Sequence, residues 1–582
     1  MTNSSGGKSR QRMWRINLFV LLVIVAGGLI FVQLFSLTYL KHAAYVRSAQ
    51  TQYNNPAALI AGRGDIYLSD ISDSSRHLVA TNRSFWYVYA NTNLITSPEE
   101  VATIVASALN LDRESVLSKL KSRGYQVVVD HLNKEEGVKI NALQLKGITA
   151  AAEIDRYYPN GEMLASTLGF VGSNSDGKSG RYGIESYYDD VLSGVTQTLT
   201  PAGNKTYSEL VKFFKSLVGS DDSLKTAAQS GGSDLVLTVD YNIQAFAETK
   251  LGETLKKWSA TGGSVIIEDP STGAILAMAS SPSFDPNNYS ASDLGRFLNR
   301  NVQELFEPGS SFKPITMSGA IDAGVVSPDT IYEDTGAVQY GTYTIRNFNE
   351  KANGIQTMRQ VLEHSLNTGA IFAENKTGDD KFLNYVVGFG FGQKSGVDLP
   401  GEISGNISNL YSGRKINFAT SSFGQGIAVT PLQLINAYSA IANGGKLMKP
   451  YIVKEIVRPD GSRETVQPKV LGTPITEKTS ATMKSMLADV VEKGFDKARI
   501  KGYDLAGKTG TAQIPDARGG YLDNNQFIHN FLGFAPAYSP KFVVLIKMDK
   551  PQGIKFAADS LSPIYGDIAR FLIRYFKIPP SH

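Results

Sequence analysis

Glu307-Pro-Gly-Ser-Ser-Phe-Lys-Pro314 opens a stretch of helical spacing that runs from Pro308 through Ala323 and is stopped by Gly324. Ser310 and Lys313 stand three residues apart, which places the hydroxyl and the amine on one face, within reach of each other. A serine hydroxyl is a poor nucleophile until a neighbouring base takes its proton, and a lysine desolvated by packing can be that base. Lowering a lysine from about 10.4 to near 7 costs roughly 4 to 5 kcal/mol, so the pairing implies a specialised pocket. Pro314 falls in the first turn, where a missing N–H is tolerated. The free N–H groups of the helix start face any oxyanion formed on a carbonyl that Ser310 attacks.

Outward from this helix, residues 263–268 and 274–279 are β-rich runs joined by Asp269-Pro-Ser-Thr-Gly273, turn chemistry that predicts a hairpin. Before it, 235–239 reads as a strand and 242–258 has helical apolar spacing. Near the C-terminus, 530–535 and 541–548 read as strands about a Pro-Ala-Tyr-Ser-Pro turn, and 564–575 is helical. A sheet with helices in the middle and at the end is an α+β arrangement. Upstream, 41–232 reads as a mixed α/β pedestal, with one helical stretch over 101–120 and a strand at 125–129. The polar, glycine-bearing segment 220–234, with Gln229-Ser-Gly-Gly-Ser233, reads as a linker into a domain over 233–582.

A length of 582 residues predicts at least two folded units, and 42% hydrophobic with 19% charged residues is globular composition. A net charge of +4 gives nucleic acid no sustained basic face. With no Cys there is no disulfide, thiolate metal site or Cys nucleophile, and the six His are scattered without a zinc-binding spacing, so neither a metal nor another cofactor is expected. Residues 16–40 carry no charged side chain, and their apolar run 18–32 is long enough to cross most of a hydrocarbon core of about 30 Å as a helix. Lys8, Arg10, Arg12 and Arg15 precede it, and the first acidic residue is Asp65. The positive-inside tendency then keeps the tail 1–15 cytoplasmic and translocates everything after residue 40, giving a single-pass cell-membrane protein.

The Ser310 to Lys313 spacing arises readily by chance: Ser118-Lys-Leu-Lys121 shows it on what reads as a solvated helix. Two further elements in fixed order change the odds. Ser365-Leu-Asn367 offers a hydroxyl to relay a proton and an amide to hold a carbonyl. Lys508-Thr-Gly510-Thr511 precedes the C-terminal strand pair and can form a strand beside the nucleophile, with Gly510 admitting close approach of a ligand to backbone. Lys376-Thr-Gly378 and Ser404-Gly-Asn406 mimic these motifs, but the first suits a helix-end turn and the second a Gly-rich loop. His364 and His529 lie near these segments and read as ordinary structural side chains.

Serine, lysine and strand motifs in this order are the general signature of penicillin-binding proteins and related lactamases. The chain resembles the class B penicillin-binding proteins from residue 15 onward, division type, through Glu307-Pro-Gly-Ser-Ser-Phe-Lys-Pro314, Gly388-Phe-Gly-Phe-Gly392, Val397-Asp-Leu-Pro-Gly-Glu402 and Ser422-Phe-Gly-Gln-Gly426 leading to Thr430-Pro431. The pedestal resembles theirs at Arg63-Gly64, Arg156-Tyr-Tyr-Pro-Asn-Gly161, Gly180-Arg-Tyr-Gly-Ile-Glu185 and Asp189, and departs in a longer Asp- and Ser-rich segment over 67–77. The resemblance implies a transpeptidase domain with a central antiparallel sheet flanked by helices. It implies Ser310 as nucleophile, Lys313 as base, Ser365 as proton shuttle, Asn367 on the stem peptide, and Lys508 shaping the field. Thr509 and Thr511 would hold the terminal carboxylate of a D-Ala-D-Ala stem, and the N–H groups of Ser310 and Thr511 the oxyanion. Implied partners are peptidoglycan stem peptides, beta-lactams, a polytopic glycan polymerase of the shape, elongation, division and sporulation type, and other divisome proteins. An elongation role, a β-lactamase or a β-lactam sensor of the same fold are the alternatives.

Overall fold

The computed structural model describes residues 62–174, 177–193, 231–514, 520–521 and 526–582. The expected membrane helix at 16–40 and the 220–230 part of the expected linker lie outside them. Among the described residues no helix is long and apolar enough to cross a membrane. The chain divides into two compact units, one described over 86–152 and the other over 62–85 and from 153 to the C-terminus.

In the smaller unit the helical stretch expected over 101–120 is two helices, Pro98–Leu109 and Arg113–Leu120. Asn110 adopts a left-handed φ of 54°, and Asp112 accepts from the Ser115 N–H to cap the second helix, so the chain must turn between them. The strand Tyr125–Leu132 pairs antiparallel with residues from Trp86 to Asn91, and Val88, Val105, Leu117, Val128 and Ile140 close the core.

The larger unit is built on a five-stranded antiparallel sheet in the order Ala506–Gln513, Phe527–Ala535, Phe542–Asp549, Gly262–Glu268, Ile275–Ser281. The predicted hairpin closes through Gly273, at φ 82°. Phe542–Asp549 and Gly262–Glu268 are buried at every position, as a sheet covered on both faces requires. Tyr241–Lys257 and Ala557–Tyr575, which pack on each other, cover one face. Pro431–Ala442, also buried throughout and started by a Thr430–Gln433 capping box, covers the other. The strand expected at 235–239 forms as Asp234–Asp240 but joins a different sheet, parallel to Ile66–Ser69 and antiparallel to Val453–Val457. The segment 67–77 is a hairpin within that sheet. Its Asp70 carboxylate accepts from Ser72, Asn242 and the Tyr575 hydroxyl, which ties the turn to the helices Tyr241–Lys257 and Ala557–Tyr575.

Residues 153–193 also pack into the larger unit, so the compact units divide the chain differently from the expected boundary at 232. The motifs singled out around Arg63, Arg156 and Glu185 meet there. The Glu185 carboxylate, fully buried, accepts from Arg63 Nε at 2.6 Å, Arg156 Nε at 2.6 Å and the Tyr158 hydroxyl at 3.2 Å, and Arg63 reaches Asp189 at 2.7 Å. Removing one partner of a buried ionic cluster leaves uncompensated charge. Glu185→Gln is expected to cost about 3–5 kcal/mol in urea unfolding. A loss below about 1 kcal/mol would show the cluster to be solvated. Glu268 is another fully buried carboxyl, with the Ser439 hydroxyl as the one group that opposes the effect of burial on it. Burial pushes it from 4.5 up to about 8. Between those values the folded chain keeps a proton that the unfolded chain has lost, so stability is full below about pH 4.5, falls as pH rises and levels off above about pH 8. Glu268→Gln is expected to flatten that decline in unfolding free energy measured from pH 4.5 to 8.

Candidate active site

Ser310 lies not in the α-helix itself but in a 3₁₀ turn, Gly309–Phe312, which runs directly into the helix Lys313–Asp322. In a 3₁₀ turn residues three apart are eclipsed, a closer alignment of hydroxyl and amine than an α-turn gives. The helix is buried from Lys313 to Ala320, within other helices rather than at the surface, so Lys313 enters the site from the core and is 1% exposed. Lys313 Nζ donates to Ser310 Oγ at 3.0 Å, to the Ser365 carbonyl at 2.5 Å and to Ser365 Oγ at 3.2 Å.

Ser365 stands between the helices Met358–Glu363 and Asn367–Thr377 at a left-handed φ of 57°, a costly conformation for a non-glycine residue that clusters at functional sites. From the other side Lys508, 1% exposed on the strand Ala506–Gln513, donates to Ser365 Oγ at 3.0 Å. One hydroxyl therefore bridges two lysines. Burial, and then the charge of Lys508, holds the Lys313 amine far below its ordinary value, and burial lowers Lys508 to about 7. Burial of both amines and their mutual repulsion disfavour the state in which both are charged.

Asn367 donates through Nδ2 to the Arg346 carbonyl at 2.9 Å, which fixes the amide and leaves Oδ1 unengaged among the described residues. Its backbone N–H donates to Asn347 Oδ1, and Asn347 in turn donates to Asp334. Burial pushes the Asp334 carboxyl up, but hydrogen bonds from Asn353, Thr368, Gly336 and Asn347 overcome it and hold the group below its ordinary value. Asp334 and Asn347 position the site, and the sequence reading missed them. Their only signal was an acid and an asparagine amid β-patterned segments.

Ala506–Gln513 is the end strand of the sheet, with one edge free of strand partners among the described residues. Thr509 and Thr511 alternate with the buried Lys508 and Gly510. Thr511 Oγ1 accepts from the Ala557 N–H at 3.1 Å, which keeps its hydroxyl proton available. Gly510 serves a purpose other than the expected one: a Cβ there would lie 2.4 Å from the Pro308 carbonyl oxygen and 2.6 Å from Asn530 Nδ2, so the close approach is made by protein, not ligand. Two cavities flank the nucleophile, one of about 270 Å³ with Asn367, Gln425 and Gln513, the other of about 240 Å³ with Ser365, Lys508 and Thr509. Ser310 and Thr511 border both.

The look-alike motifs fall elsewhere. Ser118 is exposed and donates to the Ser115 carbonyl, Lys376-Thr-Gly378 ends a helix at a Gly378 φ of 82°, and Asn406 bridges to Ala428 in a loop. His529 is buried between Ser560 and the Lys555 carbonyl and is lowered to about 4 by that burial, so it is a neutral spacer. His364 lines the smaller cavity.

The family model for the penicillin binding protein transpeptidase domain matches residues 263–570, and that for the penicillin-binding protein dimerisation domain matches residues 59–205. The chain is 34% identical over 528 residues to Stage V sporulation protein D of Bacillus subtilis (strain 168), covering 88% of this chain and 78% of that protein. It is 32% identical over 512 residues to penicillin-binding protein PbpB of Mycolicibacterium smegmatis, covering 83% and 74%. The crystal structure of penicillin binding protein 3 from Mycobacterium tuberculosis, complexed with aztreonam, superposes with a TM-score of 0.66 at 26% identity, over 90% of this chain and 98% of that one. With the transpeptidase match spanning more than half its residues and a dimerisation domain ahead of it, the chain belongs to the class B penicillin-binding proteins of the FtsI type.

Proposed function

We propose that the chain is a peptidoglycan D,D-transpeptidase that cross-links stem peptides through an acyl-enzyme on Ser310, anchored in the cell membrane by residues 16–40 and working at the division septum. The observation that carries the chemistry is the Lys313 amine, buried, far below its ordinary basicity and 3.0 Å from Ser310 Oγ. In the neutral form Lys313 takes the Ser310 proton as Oγ attacks the carbonyl of the penultimate D-Ala. The oxyanion forms against the N–H groups of Ser310 and Thr511. The C–N bond then breaks, and the proton passes through Ser365 to the leaving D-Ala amine. An acceptor-stem amine attacks the ester, gives up its proton to Lys313 and releases the cross-link with Ser310 reprotonated. Charged Lys508, with Thr509 and Thr511, holds the terminal carboxylate of the donor, and beta-lactams acylate Ser310 as donor mimics.

The charge asymmetry around the apolar run at 16–40 supports a cytoplasmic N-terminus with the catalytic domain outside. The FtsI-type relationship supports septal work, with a polytopic glycan polymerase and other divisome proteins as partners. Cells depleted of the protein are then expected to filament rather than round up.

Ser310→Ala is expected to abolish labelling by a fluorescent penicillin while unfolding at the same urea concentration, and Ser118→Ala to label like the parent. Labelling of Ser310→Ala, or mass spectrometry placing the adduct elsewhere, would end the assignment. The lysines set the pH profile. Acylation needs Lys313 neutral and Lys508 charged, so the rate rises with pH as the first loses its proton and falls as the second does, near 7. Lys508→Arg is expected to move the falling limb up by more than about one pH unit, because a guanidinium stays charged. A limb that stays in place would assign it to another group.

A further inference from the structure

Among the described residues twelve line the cavity of about 270 Å³ beside Ser310, and Arg346 is the one charged member. The rest of its polar lining is neutral: the amides of Asn367, Gln425 and Gln513 and the hydroxyls of Ser310, Thr344, Thr420 and Thr511. Gln425 Nε2 donates to Gln513 Oε1 at 3.3 Å and bridges two of the lining segments. Arg346 ends the strand Tyr343–Arg346, which pairs with Ala337–Tyr340. Val338, Tyr340 and Ile345 of that hairpin pack on buried Ala370, Ile371, Ala419 and Phe423, so the arginine is carried on an anchored element. Its carbonyl holds Asn367, but its side chain is exposed and its guanidinium has neither a hydrogen bond nor an ion pair among the described residues. An unpaired guanidinium on a site otherwise lined with neutral donors and acceptors selects for a carboxylate, which it can meet with two parallel N–H donors.

The two cavities differ in charge in a way that orients the donor. Lys508 and Thr509 line the smaller one, whose acidic member Glu363 is paired with Lys493 at 2.7 Å, so the free charge there is the Lys508 amine, which suits the terminal carboxylate. With the scissile carbonyl over Ser310, the acyl half must then lie in the larger one, toward Asn367 and Arg346. We infer that Arg346 is a specificity-determining residue that reads a free carboxylate on the acyl side of the scissile bond, favouring donors acidic in the residue before the D-Ala pair over donors amidated there. This rests on the transpeptidase reading above and adds to it the charge of the preferred stem.

The test uses two penicillins whose acyl side chains end in a carboxylate or in the corresponding carboxamide. The ratio of their second-order rates of acylating Ser310 is the readout. A partly exposed charge contact of this kind predicts a ratio of about fivefold in favour of the carboxylate, diminishing as salt is raised. The ratio is expected near one in Arg346→Ala, below one in Arg346→Glu and partly restored in Arg346→Lys. A ratio of one in the unaltered protein, or an undiminished ratio in Arg346→Ala, overturns the inference while leaving the transpeptidase reading intact. Failure of both penicillins to acylate Ser310 overturns that reading instead.

Discussion

Two buried lysine side chains that resist carrying protons together share one serine hydroxyl, and the rest of the catalytic unit is arranged around that constraint. Lys313 belongs to the helical half and Lys508 to the sheet, and Ser365 Oγ stands 3.2 Å from one and 3.0 Å from the other. In water such a pair would separate. Here each stem is held by a core, the Lys313 helix buried over its first eight residues and the Lys508 strand hydrogen-bonded along its length to Phe527–Ala535. Folding therefore supplies the energy that depresses the amines, in the manner expected where a desolvated group is held against a like charge. The left-handed φ at Ser365 is a further cost accepted at the same place.

Bringing the halves so close leaves almost no room between them, and glycine fills the joints. The 3₁₀ turn carrying Ser310 is wedged between the edge strand and the loop around Gly424. Gly309 N–H donates to the Gly424 carbonyl at 3.0 Å. A Cβ on Gly424 would lie 2.3 Å from the Gly309 oxygen, and one on Gly510 2.4 Å from the Pro308 oxygen. Distances this short against backbone leave nothing to move aside. The glycines packed about the serine are thus requirements of packing, which explains why Gly510 sits in the strand motif although a Cβ there would meet protein rather than ligand.

What was legible in the sequence was local or carried in fixed order. The hairpin at Gly273, the strands about the late Pro-Ala-Tyr-Ser-Pro turn and the helix after Ser310 follow from turn chemistry and periodicity, and Ser310, Lys313, Ser365 and Lys508, from three segments far apart in the chain, were named before any contact was known. What was not legible was pairing. Residues 235–239 read as a strand, but nothing in five apolar residues says that their neighbour is Ile66–Ser69, about 170 residues upstream. The Asp- and Ser-rich segment at 67–77 gave no hint that Asp70 would anchor Tyr575. The break at Asn110 depends on one αL residue inside a continuous apolar period, a place where periodicity overrules the cap signal. Asp334 and Asn347 escaped notice because a residue that positions another has no spacing of its own to read.

Glu307, three residues before the nucleophile, joins these themes. Its carboxylate accepts from the Gly426 N–H at 2.9 Å and the Tyr521 hydroxyl at 3.0 Å, and burial raises it to about 7 despite both bonds. A carboxyl raised to about 7 beside two depressed lysines invites an electrostatic role. The lysines argue otherwise: burial alone lowers Lys508, burial and Lys508 lower Lys313, and Glu307 contributes to neither. Its bond from Gly426 ties the approach to the 3₁₀ turn to the glycine loop in which Gly424 also receives the Gly309 N–H, and its bond from Tyr521 adds a second tether. The carboxyl is spent on holding the turn in its slot, and the basicity of the site is left to the two amines.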